Sequence, residues 1–149
     1  MQNLYQPETL RSIFRRIENL RPDMQPQWGK MQAAQMLAHC TATLEVATGR
    51  TRPPRMFLGR ILGSFIKPTF YNDKPLSKNS PTDKSLLIVD ERDFELEKKK
   101  LITLIQDFSL GGEKGCTTHP HSFYGKFTPA QWSMGTYKHL DHNLTQFGV

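Results

Sequence analysis

The sequence predicts an all-α fold, one soluble domain over residues 1–149 built on a bundle of four long helices. Three observations predict it. Apolar residues recur at three- and four-residue steps in four separate segments. Stretches rich in proline and glycine divide those segments. The last segment opens on Thr128-Pro129-Ala130-Gln131, a capping box with proline at the first helical position.

The first helix is expected over 7–20, where Ile13, Ile17 and Leu20 keep a helical step and Arg11, Arg15 and Arg16 take the wet side. Pro22 and Pro26 stop it, because proline has no amide hydrogen to continue the ladder. A connection over 21–30 carries Trp28 as a packing anchor. The second helix is expected over 30–48, with Met31, Ala34, Leu37 and Leu44 as its apolar stripe, Thr41 as a weak point on it, and Gly49 as its stop. Residues 50–90 form a long, irregular crossover. Within it, Arg55 to Lys67 reads as a short helix with Phe57, Ile61 and Phe65 four apart, and 71–83 reads as surface loop. Leu86 to Val89 is too short to decide between a small strand and a lead into the next helix. The third long helix is expected over 91–108, capped by Asp90, with Phe94, Leu96, Leu101, Leu104 and Ile105 as its apolar surface and Gly111-Gly112 as its end. A loop over 113–127 precedes the fourth, expected over 128–146.

Composition limits the function classes. No apolar run approaches the ~18 residues a membrane span needs, and the first residues lack the pattern of a signal peptide. A cytoplasmic location with no membrane partner is the expectation. Two cysteines, Cys40 and Cys116, are expected to be reduced, and they cannot build a thiolate zinc site alone. The net charge is +6. Much of the excess lies between Arg50 and Lys78, where seven Lys/Arg face Asp73 alone. A nucleic-acid patch is one reading of that run, and a solvated crossover is the other; no recognition motif accompanies the charge.

The chemistry rests on five histidines: His39, His119, His121, His139 and His142. Neutral imidazole is the commonest protein ligand for zinc, nickel, copper and iron. On a helical projection of the last helix, Tyr137, Leu140, Leu144 and Phe147 define the core face. Trp132, Thr136, His139 and Asn143 line one flank of it, and His142 falls on the far side, toward solvent or a neighbour. His139 therefore pairs with Asn143 at i+4. His39 projects off the main stripe of the second helix, and only a helix with two buried flanks would aim it inward. His119 and His121 flank Pro120 in the loop, as pocket-mouth residues, substitute ligands or solvated imidazoles.

Four segments, WGKMQAAQMLAHCTATLEVATG, KPLSKNSPT, HPHSFYGKFTPAQW and YKHLDHNLTQFGV, together resemble a domain-of-unknown-function branch of the DinB/YfiT-like metalloenzyme superfamily. They are spread over most of the chain. The resemblance implies a four-helix bundle in up-down-down-up order, with a long crossover between the second and third helices. It also implies a divalent transition metal, zinc or nickel, held by one histidine of the second helix and an HxxxH pair of the last. His39 and His139 match the first two positions. The third is Asn143 here, and His142 matches an intervening histidine that is not the usual ligand. An amide oxygen is a weaker donor than imidazole for these metals, so a complete, a re-ligated and an empty site all stay open.

Superfamily members with assigned activity act on low-molecular-weight thiol conjugates. The resemblance thus implies a metal-dependent thiol transferase or hydrolase with a small-molecule thiol substrate. The competing expectation is a non-catalytic helical protein, open to homodimer formation, whose metal site has degenerated. Nucleic-acid binding through residues 50–78 rests on charge alone.

Overall fold

The computed structural model describes residues 2–149. Six α-helices follow in order: α1 (Pro7–Glu18), α2 (Ala33–Thr48), α3 (Phe57–Ile66), α4 (Pro68–Tyr71), α5 (Phe94–Gly111) and α6 (Pro129–Gln146). Two 3-10 turns, Lys84–Leu86 and Gly112–Gly115, complete the regular structure. Among the described residues there is no strand, only an isolated antiparallel bridge between His121 and Gly125.

Caps fix where the long helices begin. Thr128 Oγ1 accepts from the Gln131 amide at 3.2 Å, and Gln131 Oε1 accepts from the Thr128 amide at 3.1 Å. That reciprocal pair satisfies two amides with no partner inside the helix. α2 starts three residues later than its sequence indicates, because Gln32 lies outside the helix and its amide is capped by Gln35 Oε1 at 2.9 Å. α5 starts at Phe94 because Asp93, not Asp90, is the N-cap: its carboxylate accepts from the Leu96 amide at 2.7 Å. α2 ends on Gly49, whose φ of 77° places it in the left-handed region that glycine adopts without strain.

One cluster of buried side chains draws on every long helix. It joins Ile13 and Ile17 of α1 to Leu37, Cys40 and Leu44 of α2, Leu101, Ile105 and Phe108 of α5, and Trp132, Leu140 and Leu144 of α6. Leu96, expected in the core surface of α5, is exposed. α2 packs chiefly on α5 and secondarily on α6. Its buried residues run almost all the way round, from Met36, Leu37, Ala38 and His39 through Cys40, Thr43, Leu44 and Val46. A helix apolar on all sides is a central one. α1 is fixed on α6 by Arg16, whose guanidinium reaches Asp141 Oδ1 at 2.6 Å, Thr145 Oγ1 at 2.9 Å and the Val149 carbonyl at 2.9 Å.

The crossover is more ordered than its composition indicates. Residues 86–89 form neither strand nor helix: Leu86 closes a 3-10 turn and is buried, and Val89 is exposed. The ring of Phe70 of α4 packs against α6 at Gly135, where a Cβ would overlap the ring. Only glycine admits that approach. Lys138 Nζ donates to the Thr69 carbonyl and to Asn72 Oδ1, tying α4 and the residue after it to α6. No helix among the described residues is long and apolar enough to cross a membrane.

Candidate metal centre

His39 and His139, a hundred positions apart, meet between α2 and α6. Their Nε2 atoms are 3.0 Å apart and their ring centroids 4.9 Å apart. His39 is 5% exposed. Its projection off the α2 stripe misleads because α2 has two buried flanks, one against α5 and one against α6. Its Nδ1 lies 2.9 Å from the Leu86 carbonyl. A carbonyl only accepts, so His39 carries its proton on Nδ1 and turns the lone pair of Nε2 toward His139. The crossover therefore sets the tautomer of a helix histidine. Ligating histidines are held by this kind of outer hydrogen bond.

Asn143 is buried one turn beyond His139. Its amide nitrogen donates to the His139 carbonyl at 2.8 Å and lies 3.3 Å from His139 Nε2. In this rotamer the nitrogen, not the oxygen, faces His139. With both rings neutral, His139 Nε2 donates its proton to His39 Nε2, and the Asn143 nitrogen donates to the His139 carbonyl rather than to that ring nitrogen.

Burial lowers the pKa of His39, although the Leu86 hydrogen bond works the other way. His139 lies well below the ordinary histidine value, from burial first and then from the neighbouring His39, His142 and His121. Both rings are thus held neutral near physiological pH, the form that binds metal. Three of the other four histidines sit close enough to oppose charging at His139.

The other three have separate placements. His142 is half-buried and packs on Trp28, with ring centroids 5.4 Å apart. Lys78 Nζ sits 4.5 Å from the centroid of the same indole. His119 is exposed. His121 is not a solvated loop imidazole. Its ring is packed among Phe70, Tyr124, Phe127 and Trp132, with centroids 5.0–5.9 Å away. Its Nδ1 accepts from the Phe123 amide at 3.0 Å and from the Tyr124 amide at 3.3 Å. Burial pushes its pKa down to about 4, against the attraction of Asp83 and with some help from Arg55. The sequence signal for this was the aromatic density of HSFYGKF around it. Asp83 links this turn to His39: its carboxylate accepts from Ser122 Oγ at 2.9 Å while it caps the turn that presents the Leu86 carbonyl.

The donor set fits the beginning of a metal centre. Two imidazole nitrogens bound to one ion at about 2 Å each stand about 3 Å apart, which matches the observed contact. The third donor is the open point. Among the described residues no group of three or more His, Cys, Asp and Glu side chains is arranged to hold a metal. The polar side chain that lies beside the pair is the Asn143 amide.

A family model, "Protein of unknown function (DUF1569)", matches residues 3–148. The chain belongs to the DUF1569 family. That match covers both helices of the histidine pair and the crossover that orients His39. No curated protein and no solved structure matches this DUF1569 chain.

Proposed function

We propose that this DUF1569 protein binds a divalent transition metal, zinc or nickel, through His39 and His139, with Asn143 beside them as third donor. The observation that carries the reading is the 3.0 Å Nε2 contact between α2 and α6, with His39 already locked in the ligating tautomer by the Leu86 carbonyl. A half-turn of the Asn143 amide would exchange nitrogen for oxygen beside His139 Nε2. It would forfeit the hydrogen bond to the His139 carbonyl, a loss of about 1 kcal/mol. The likeness to the DinB/YfiT-like superfamily, and its up-down-down-up bundle, belongs to this proposal. So does metal-dependent turnover of a low-molecular-weight thiol conjugate. A bound metal lowers the pKa of a coordinated water or thiol. The protein's own part is to hold the two imidazoles neutral and fixed.

A second reading has its own support. Asn143 turns its nitrogen, not its oxygen, toward His139. That orientation favours a non-catalytic helical protein with a degenerate metal site. Titration of chelator-treated protein with zinc and nickel separates the two. Stoichiometric binding that is lost in His39→Ala and in His139→Ala, kept in His142→Ala and strengthened at least about tenfold in Asn143→His supports the metal centre. No binding by the parent, with binding restored by Asn143→His, supports the degenerate site. Metal-dependent turnover of a thiol conjugate by the parent then separates an enzyme from a metal-binding protein.

A further inference from the structure

α3 is held to the molecule by its glycines. Gly59 and Gly63 are its buried residues, and a Cβ on either would come within 2.5 or 2.1 Å of the Phe123 carbonyl oxygen. With that face pressed on backbone, the large side chains turn outward. Phe57 is 78% exposed, Ile61 53% and Phe65 82%, and Leu58 and Leu62 are exposed beside them. The four-residue spacing of Phe57, Ile61 and Phe65 makes a surface stripe. On a helical wheel, the six large apolar residues of α3 cover an arc of about 180°, and the glycines lie just outside it. Six large apolar side chains exposed on one short helix form a contiguous face of the kind that marks an interaction site.

The charge around this face has one sign. Within and next to α3 the charged residues are Arg55, Arg60 and Lys67, and no carboxylate lies between Arg50 and Asn72 in sequence. Arg50 pairs with Asp107 and Lys78 lies over Trp28, so both are engaged elsewhere. Arg60, on the shoulder of α3, makes no ion pair among the described residues. Arg55 and Lys67 give their hydrogen bonds to the carbonyls of His121 and Lys126, so no carboxylate neutralises either. Lys67 thereby sits beside a further exposed cation, Lys126.

We propose that α3 docks in the plane of an anionic lipid surface, with its phenylalanines in the headgroup boundary and its flanking cations on the phosphates. A ten-residue helix is about 15 Å long, too short to span, but in-plane contact needs no span. The expectation of no membrane partner rested on spanning length and does not bear on this mode. Charge complementarity selects the occupant. A symmetric contact with a second copy would set Arg60 and its basic surroundings against their own image, whereas an anionic bilayer complements them. The inference is independent of the histidine pair.

The test is sedimentation of the full chain with vesicles of phosphatidylcholine alone and with about one third phosphatidylserine, at low and high salt. Size-exclusion chromatography with light scattering runs in parallel. The chain should pellet with the anionic vesicles, less so in high salt, and weakly or not at all with phosphatidylcholine. Arg60→Gln should lower the partition about fivefold. Phe57→Ser/Phe65→Ser should lower it by at least about tenfold with its circular dichroism and melting temperature preserved, because both side chains already face solvent. Equal pelleting by the double variant overturns the proposal, as does equal pelleting with both vesicle types or none with anionic vesicles at low salt. A parent dimer that the double variant converts to monomer assigns the face to a second copy and also overturns it.

Discussion

Acid should destabilise this protein through His121, and the size of the effect follows from its environment. In the folded chain the His121 pKa is pushed from 6.5 down to about 4. The unfolded chain therefore binds more protons than the native one between those values, and stability rises with pH across that window. Stability supplied by the neutral ring is present in full above about 6.5 and is lost progressively as pH falls toward about 4. At pH 4.5 the loss amounts to about 2.5 kcal/mol, at about 1.4 kcal/mol per pKa unit. His39 and His139 are also lowered and add loss of the same sign, so the comparison must isolate His121. The variant His121→Asn does so, because an amide oxygen can replace Nδ1 as acceptor for the Phe123 and Tyr124 amides but does not titrate. Urea denaturation of both proteins from about pH 7.5 to 4.5 is the assay. The gap between their midpoints should close or reverse by about 1 M urea over that range. Parallel pH profiles for parent and variant would refute the reasoning. They would show that the aromatic enclosure does not keep the ring neutral.

Two further outcomes follow from packing. Removing the ring in His142→Ala should cost about 1 kcal/mol of stability through its contact with Trp28, read as a shift in thermal midpoint. Gly63→Ala should drive a methyl group into the Phe123 carbonyl and cost about 1–3 kcal/mol locally. Limited proteolysis should then cut first between 55 and 67, and unchanged protection of that segment would contradict the glycine contact.

The helix ends were legible where side-chain chemistry is local. The Thr128–Gln131 box and Gly49 work through neighbours within one turn, so the letters suffice. The start of α5 was displaced because Asp90 and Asp93 are both competent caps, and the choice falls to the one whose next turn is buried, at Phe94 and Glu97. His139 was legible from the core face of its own helix. His39 was not, because a wheel drawn for one buried face cannot describe α2, which is buried on two. The helix α3 was legible from its four-residue spacing, but the direction it faces was not. Gly59 and Gly63 let it approach the backbone at Phe123, which leaves Phe57, Ile61 and Phe65 outward. His121 was missed because its enclosure is assembled from α4, α6 and its own loop, which no window on the sequence contains.

The meeting of His39 with His139 sets an order of events during synthesis. At about 5–20 residues per second, a ribosome takes on the order of 5–20 s to add the hundred residues that separate the two rings. For that interval His39 has no imidazole opposite it. The Leu86 carbonyl that orients it emerges about half-way through. The nascent α2 and α5 can dock on one another in the meantime, since their contact is the more extensive. The histidine pair comes into being only when α6 closes over them. Any affinity that depends on both rings is then a property of the finished fold and is withheld from every shorter nascent chain.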